Sequence, residues 1–237
     1  MPKPESIVLS PAITVDSRLA AWVKAERTLI VADLHLGYAW AHRSGGQLMP
    51  LSRPATVVDR LRALIKDYNA ERLVILGDVI HHAVQVEGLR KELDDLSSLT
   101  ALCEVVLIPG NHDRRLKEVL GSTPLKVSEE KAFRIGPHLC LHGDQSTAEV
   151  PEAEGWTFLG HEHPALRLGD GVATSAKVPA FWLGERAVVL PAFSEWAAGT
   201  AFGSPSGILG PVARKMIWRE AVAVIGSRCL RMPLPSV

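Results

Sequence analysis

The sequence predicts an α/β fold of two stacked sheets with helices outside, and three observations carry that expectation. Short apolar runs recur with helical stretches or loops between them, an order that builds sheets flanked by helices. Two of the intervening segments keep a helical period. Beyond Lys177 the texture changes to β-rich runs broken by glycine and proline, which reads as antiparallel strands closing a second sheet. At 237 residues and 47% hydrophobic the chain can bury a full core, and its linkers are too short to mark a boundary, so residues 1–237 read as a single domain.

In chain order, the first runs are LIVA before Asp33, RLVILG before Asp78, VVLI before Pro109, LCL before His142 and TFL before Gly160. Val57, Val58, Leu61, Leu64, Ile65 and Tyr68 repeat at the helical period, which predicts a helix from Pro54 to Tyr68 with Pro54 in its first turn. Val86, Leu89, Leu93 and Leu96 share one face of a second helix, Val86 to Leu96. The later runs are AFWL, AVVLPAF and AVAVIG, and Gly184 with Glu185 can turn one hairpin.

Basic and acidic residues number 26 each, so no excess positive field drives sequence-independent nucleic-acid binding, and a polynucleotide substrate would need a local patch. Cys103, Cys140 and Cys229 lie among apolar neighbours without the spacing of a zinc ribbon or a disulfide framework, which suits buried thiols in a reducing cytosol. The amino-terminal stretch lacks a charged segment followed by a long apolar core, and no apolar run approaches the roughly 20 residues of a membrane span. The expected location is cytoplasmic, with no membrane partner.

Each group of metal-capable side chains begins just past the carboxyl end of an apolar run, the edge where open α/β sheets bind ligands. The groups are DLH (Asp33 to His35), GD (Gly77, Asp78), GNHD (Gly110 to Asp113), HGD (His142 to Asp144) and GHEH (Gly160 to His163), and they hold five of the nine histidines. A lone histidine at a strand end is usually a satisfied or surface polar group, and GD alone is a good turn. Five such groups in order are not independent accidents. Carboxylate, amide and imidazole donors without thiolate suit manganese, iron(II) or zinc. An aspartate with a histidine two residues on would put both side chains on one side of an extended segment, and His161 with His163 would repeat that geometry.

In this order D-x-H, GD, GNHD, HGD and GH-x-H resemble the pattern of the calcineurin-like metallophosphoesterases, over about residues 28–195. The resemblance implies a four-layer αββα sandwich of two mixed sheets flanked by helices. It implies two divalent ions, manganese first with iron(II) and zinc as alternatives. Asp33, His35 and His163 would hold one ion, Asn111, His142 and His161 the other, and Asp78 would bridge them. Two divalent ions against two carboxylates and one hydroxide leave a net positive centre for a phosphate ester, with the ions about 3.5–4 Å apart. In the resembled family the counterpart of His112 contacts the phosphate and protonates the leaving group. Asp113 would orient the His112 ring or cap the helix that follows. Arg114 and Arg115 are phosphate contacts or solvated arginines.

His81, three residues beyond Asp78, resembles the histidine of GD-x-x-H in SbcD-like repair nucleases, which positions the scissile diester. VADLHLG, NHDRR and LPAF with a following Gly199 are similar to the small SbcD-related and ligase-associated PdeM-like phosphoesterases. The expected catalytic residues are thus His112, His81 and Asp113, and the expected substrate contacts Asn111, His112, His81 and Arg114. Glu162 departs from the family, which more often has threonine or another small polar residue there, and it is expected to act behind the ligands. Trp40, in the loop YAWAHRSGG, either stacks on an exposed base or packs that loop.

The function expected is phosphodiester hydrolysis, on DNA ends or another nucleotide diester, with DNA repair partners and a homo-oligomer both compatible. Two alternatives stand beside it. One is a small-molecule phosphoesterase for cyclic nucleotides, dinucleotides or a pyrophosphate; relatives that cleave lipid-linked pyrophosphates show GNRD where this chain has His112. The other is a non-catalytic metal-binding scaffold, disfavoured because all seven implied ligands and His112 are present.

Overall fold

The computed structural model describes residues 3–49, 56–83, 86–121, 123–169, 174–197, 199–205 and 207–235. In the first sheet β1 (Ser6–Ser10), β2 (Ile13–Asp16), β3 (Ala20–Val23) and β4 (Thr28–Ala32) form an antiparallel meander, and β5 (Arg72–Leu76), β6 (Glu104–Ile108) and β7 (Lys126–Val127) continue in parallel from β4. The second sheet contains β8 (Ala132–Ile135), β9 (His138–Leu141), β10 (Thr157–Leu159), β11 (Pro164–Gly169), β12 (Ser175–Leu183), β13 (Ala187–Val189) and β14 (Thr200–Ala201), ordered β14-β11-β12-β13-β10-β9-β8. β15 (Glu220–Ile225) pairs with β12 and with β16 (Arg228–Pro233). Within it β9, β10 and β13 run parallel, so both sheets are mixed.

The central strands read as unbroken apolar runs because they are covered on both faces. β4 is buried throughout, and β5 and β6 are buried after their first residue. In the second sheet burial alternates in side: Cys140, Phe158, Phe181, Leu183 and Val188 join the core shared with the first sheet, while Leu139, Leu141, Leu159, Trp182 and Val189 face a separate outer core.

The helices are α1 (Tyr38–Ser44), α2 (Val57–Tyr68), α3 (Glu87–Ser97), α4 (Leu116–Leu120) and α5 (Pro211–Arg214). Leu61, Leu64 and Ile65 of α2 and Leu89, Leu93 and Leu96 of α3 join the core of the first sheet. α2 starts with a capping box between Thr56 and Asp59 and ends on Asn69 at φ 48°. Pro54 lies outside the described residues. The outer face of the second sheet is covered more thinly, by Val212 and Ala213 of α5, Trp218 and the half-buried Val150 and Ala153. The fourth layer is therefore mostly irregular chain.

Three local expectations change. The β12–β13 turn falls one residue later than expected, at Glu185 and Arg186, because the Gly184 N–H still donates to the Ala187 carbonyl (2.9 Å). YAWAHRSGG is not a loop but largely the helix α1. Cys103 and Cys140 are buried free thiols, whereas Cys229 is only half-buried. No helix among the described residues is long and apolar enough to cross a membrane.

The parallel strands of both sheets end at one edge. There a bridge between Ala32 and Ala192, with the Phe193 N–H donating to the Ala32 carbonyl (2.8 Å), ties the end of β4 to the segment after β13. The groups of metal-capable side chains lie along that edge.

Candidate metal centre

Asp33 and His35 follow β4, Asp78 follows β5, Asn111 and His112 follow β6, His142 follows β9, and His161 and His163 follow β10. The backbone there is not extended. Asp33 (φ 55°), His35 (φ 46°), Asp78 (φ 46°), His161 (φ 69°) and His163 (φ 45°) all occupy the left-handed region. The expectation that D-x-H lies along a pleat is thus corrected: tight turns, not strand alternation, aim these side chains. Each such residue costs roughly 1–3 kcal/mol and persists only where its surroundings over-determine it. The surroundings do so here. His35 N–H and Leu36 N–H donate to the carbonyls of Asp78 and Val79, and His81 N–H donates back to the Leu36 carbonyl, which zips the two loops together at 2.8–2.9 Å. The buried runs behind them hold both ends.

The glycines of the motifs have a steric cause. An added Cβ at Gly77 would stand 2.2 Å from His142 Nδ1, one at Gly110 2.3 Å from Asp78 Oδ1, and one at Gly160 2.7 Å from the Leu76 carbonyl. In each case atoms of a neighbouring segment occupy the space that a side chain would need.

The donor atoms form two groups that share Asp78, one of Asp33, His35, Asp78 and His163, the other of Asp78, His142 and His161. His35 Nε2 lies 3.2 Å from His163 Nε2, which lies 3.6 Å from Asp33 Oδ1. Asn111 Oδ1 is 3.1 Å from both His142 Nε2 and His161 Nδ1, and those two nitrogens are 3.2 Å apart. Asp78 Oδ1 lies 3.5 Å from His142 Nε2. All seven expected ligands are therefore brought together.

The donor set fits cations. His142 Nδ1 faces the Leu76 carbonyl at 2.9 Å and must donate its hydrogen there, which leaves a lone pair on Nε2 pointing at the acceptor Asn111 Oδ1. Such lone pairs repel unless a positive charge lies between them. Neighbouring donor atoms stand 3.1–3.6 Å apart, close enough for the members of each group to share one ion. Burial depresses His35 to about 3 and His161 to about 4, so both rings are neutral donors at neutral pH. Burial pushes Asp33 up, but its neighbours, His163 foremost, outweigh it and hold its carboxyl below the ordinary value. For Asp78 burial wins over His142, and its carboxyl sits above the ordinary value.

A third group of donor atoms comes from His35, His81 and His112, beside the first two. His112 Nδ1 faces the His81 carbonyl at 2.9 Å and donates to it, and its Nε2 lies 4.0 Å from Asp78 Oδ2. Burial lowers His81 to about 4.

Asp113 is a correction on both of its expected roles. It neither orients the His112 ring nor caps a helix, since α4 has Arg115 at its N-cap without a side-chain bond. Its buried carboxylate accepts the N–H groups of Gly110 (2.9 Å), Val79 and Ile80 (both 3.1 Å), joining the loops after β5 and β6. Arg115 pairs with Glu118, whereas Arg114 is exposed beside Asn111, in a groove of about 340 Å³ with Lys117, Lys131 and Asp144. Glu162, 1% exposed, accepts the N–H groups of Leu209 (2.8 Å) and Gly210, so it anchors the 207–210 segment behind His161. Trp40 packs over Gly88 and donates to Glu92 (3.1 Å), which also accepts the Gly37 N–H, so packing is its observed role.

Sequence reasoning missed the other side of the centre. A cavity of about 500 Å³ opens beside His163, lined by Arg60, Lys177, Phe193 and Ser194. Arg60 lies 4.2 Å over the Phe193 ring and donates to the Phe193 carbonyl (3.1 Å). LPAF hinted at this segment; no local pattern pointed to Arg60.

The family model for Calcineurin-like phosphoesterase matches residues 26–197, well over half of the chain. No curated protein sequence matches. Among solved structures, the Pseudomonas putida nuclease MPE is similar, with a TM-score of 0.67 and 23% identity over 97% of this chain and 100% of that one, which shows a shared fold. The family match spans all five clusters gathered at the sheet edge, and the chain belongs to the calcineurin-like phosphoesterase family of metal-dependent phosphoric ester hydrolases.

Proposed function

We propose that this chain is a phosphodiesterase with a binuclear metal centre, acting on nucleic-acid or nucleotide diesters. The observation that supports the reading most is the pair of donor groups sharing Asp78, with two further histidines beside them. Asp33, His35 and His163 would hold one ion and Asn111, His142 and His161 the other, with Asp78 common to both; manganese is the first choice, iron(II) and zinc the alternatives. When bound, such ions supply Lewis-acid stabilisation of phosphoryl charge and acidify water toward neutral pH.

The chain's own residues do the rest. His112, its Nδ1–H held on the His81 carbonyl, turns Nε2 toward the centre, where in its protonated form it gives a proton to the departing oxygen and leaves an alcohol. His81 and Asn111 contact the phosphate from either side, and Arg114 meets the chain beyond it. A diester is favoured over a monoester because the side chains immediately beside the two donor groups are the imidazoles of His81 and His112, and neither is a permanent cation that would select the second charge of a monoester. The similarity to a nuclease agrees with a polynucleotide substrate, and a DNA-repair setting, the SbcD-related affinity, the single-domain organisation and a cytoplasmic location belong to the same proposal.

The test is a manganese-supplemented assay of bis-p-nitrophenyl phosphate beside p-nitrophenyl phosphate. Faster turnover of the diester is expected. Preference for the monoester would overturn the diester reading, and inactivity on both with two ions bound would favour a scaffold.

A further inference from the structure

A row of rings leads away from the donor groups. His112 and His81 are near-parallel, 5.4 Å between centroids and 21° between planes. His81 touches Tyr38 at 4.4 Å, and Tyr38 lies parallel to Trp196, 5.9 Å and 1°. His42 packs against Tyr38 at 4.4 Å. Tyr38 opens α1 directly after the DLHLG turn, while Trp196 comes from the segment after β13, so two distant parts of the chain bring the pair together.

Packing alone does not account for the pair. Trp182 (0%) and Trp218 (8%) are buried, and the half-buried Trp22, Tyr68 and Trp156 pack against the core, whereas Tyr38 and Trp196 are half-buried at the rim of the centre and join neither core. The Trp196 segment is also held in place: its N–H donates to Ser194 Oγ (3.3 Å), and Arg60 grips the Phe193 carbonyl while pairing with Glu195 at 3.5 Å. That pairing sets a positive charge against the carboxylate next to Trp196.

We propose that Tyr38 and Trp196 form a stacking platform for a nucleobase adjoining the scissile phosphodiester, a reading that rests on the proposed phosphodiesterase activity. Aromatic faces bind unpaired bases without regard to sequence, because every base has a π-face. Tyr38 is one ring contact from His81 and Trp196 two, so the platform adjoins the histidines beside the donor groups. With basic and acidic residues equal in number, the chain has no global field to hold a polynucleotide, and stacking supplies affinity that charge does not. The role considered for Trp40 thus falls to two other rings.

The test compares manganese-loaded wild type, Trp196→Ala, Tyr38→Ala and Trp196→Phe on two short single-stranded thymidine oligonucleotides. One is intact, and the other has tetrahydrofuran abasic sites flanking the cleaved bond. Wild type should favour the intact strand in kcat/KM by roughly 5- to 150-fold. Either alanine variant should bring the ratio toward one, and Trp196→Phe should keep most of it. Equal ratios in wild type and alanine variants, or no preference in wild type, would overturn the platform while leaving diester hydrolysis standing. Equilibrium binding of the same strands with calcium separates the two claims: a wild type that cleaves nothing yet binds the intact strand better, in a Trp196-dependent way, keeps the platform and refutes hydrolysis. No cleavage and no binding preference would remove both.

Discussion

A methyl group at Gly77 would have nowhere to go. Its carbon would lie 2.2 Å from Nδ1 and 2.5 Å from Cγ of His142, with the Gly110 Cα at 2.9 Å on another side. The imidazole cannot swing away cheaply, because it is fully buried and donates to the Leu76 carbonyl. At φ 72° an alanine also carries the left-handed penalty. That penalty, overpacking and the lost hydrogen bond together cost roughly 3–6 kcal/mol. For a chain of this size the melting midpoint should fall by roughly 6–24 °C. Gly77→Ala is therefore expected to melt early in chelator by circular dichroism. Elemental analysis should show loss first of the ion assigned to Asn111, His142 and His161, so that the preparation retains one ion where wild type holds a pair. An unchanged midpoint with full metal content would show that the ring does not lie over Gly77, and the steric account of the motif glycines would fail.

Asp78→Asn should lower occupancy at both positions together, because its carboxylate belongs to both donor groups; loss of one ion alone in elemental analysis would contradict the shared role. His112→Ala should keep both ions and lose about 10²- to 10⁴-fold in turnover of an alkyl leaving group, and loss of metal instead would make it a ligand. Glu162→Ala should speed amide exchange at Leu209 and Gly210, whose N–H groups lose their acceptor, while metal content changes little. Burial alone would raise Asp16, but hydrogen bonds from Arg18 and Tyr68 hold it below its ordinary value of 3.8. Its folded pKa being the lower, its contribution is complete above that value and is lost as pH falls through the folded one. Asp16→Asn should accordingly flatten the acid limb of a plot of urea midpoint against pH, and an unaltered acid limb would exclude the linkage.

The parts of this fold that were legible beforehand are those whose cause is local. Strands such as Thr28–Ala32 and Arg72–Leu76 are covered on both faces, so they stand out as unbroken apolar runs, and the groups at their ends stand out with them. The first strand of the meander, Ser6–Ser10, was not legible, because it is an edge strand with no buried residue. Asp113 was misread for a different reason. Two of its partners, Val79 and Ile80, lie more than thirty residues away, and nothing in GNHD distinguishes an aspartate that faces a ring from one that closes two loops. The left-handed turns at Asp33, His35, His161 and His163 were hidden too, since non-glycine residues ordinarily avoid that region and only tertiary contacts hold them there. Tyr38 and Trp196 meet only once the chain is folded.

Asp33, His35, Asp78 and Asn111 come from the first sheet, and His142, His161 and His163 from the second. Cations bound among them would rivet the two halves of the sandwich across their shared edge. Affinity for the ions and cohesion of the sheets then become one thermodynamic quantity, so chelation should loosen this seam before any other part of the core, and raising free metal should lift the melting temperature logarithmically.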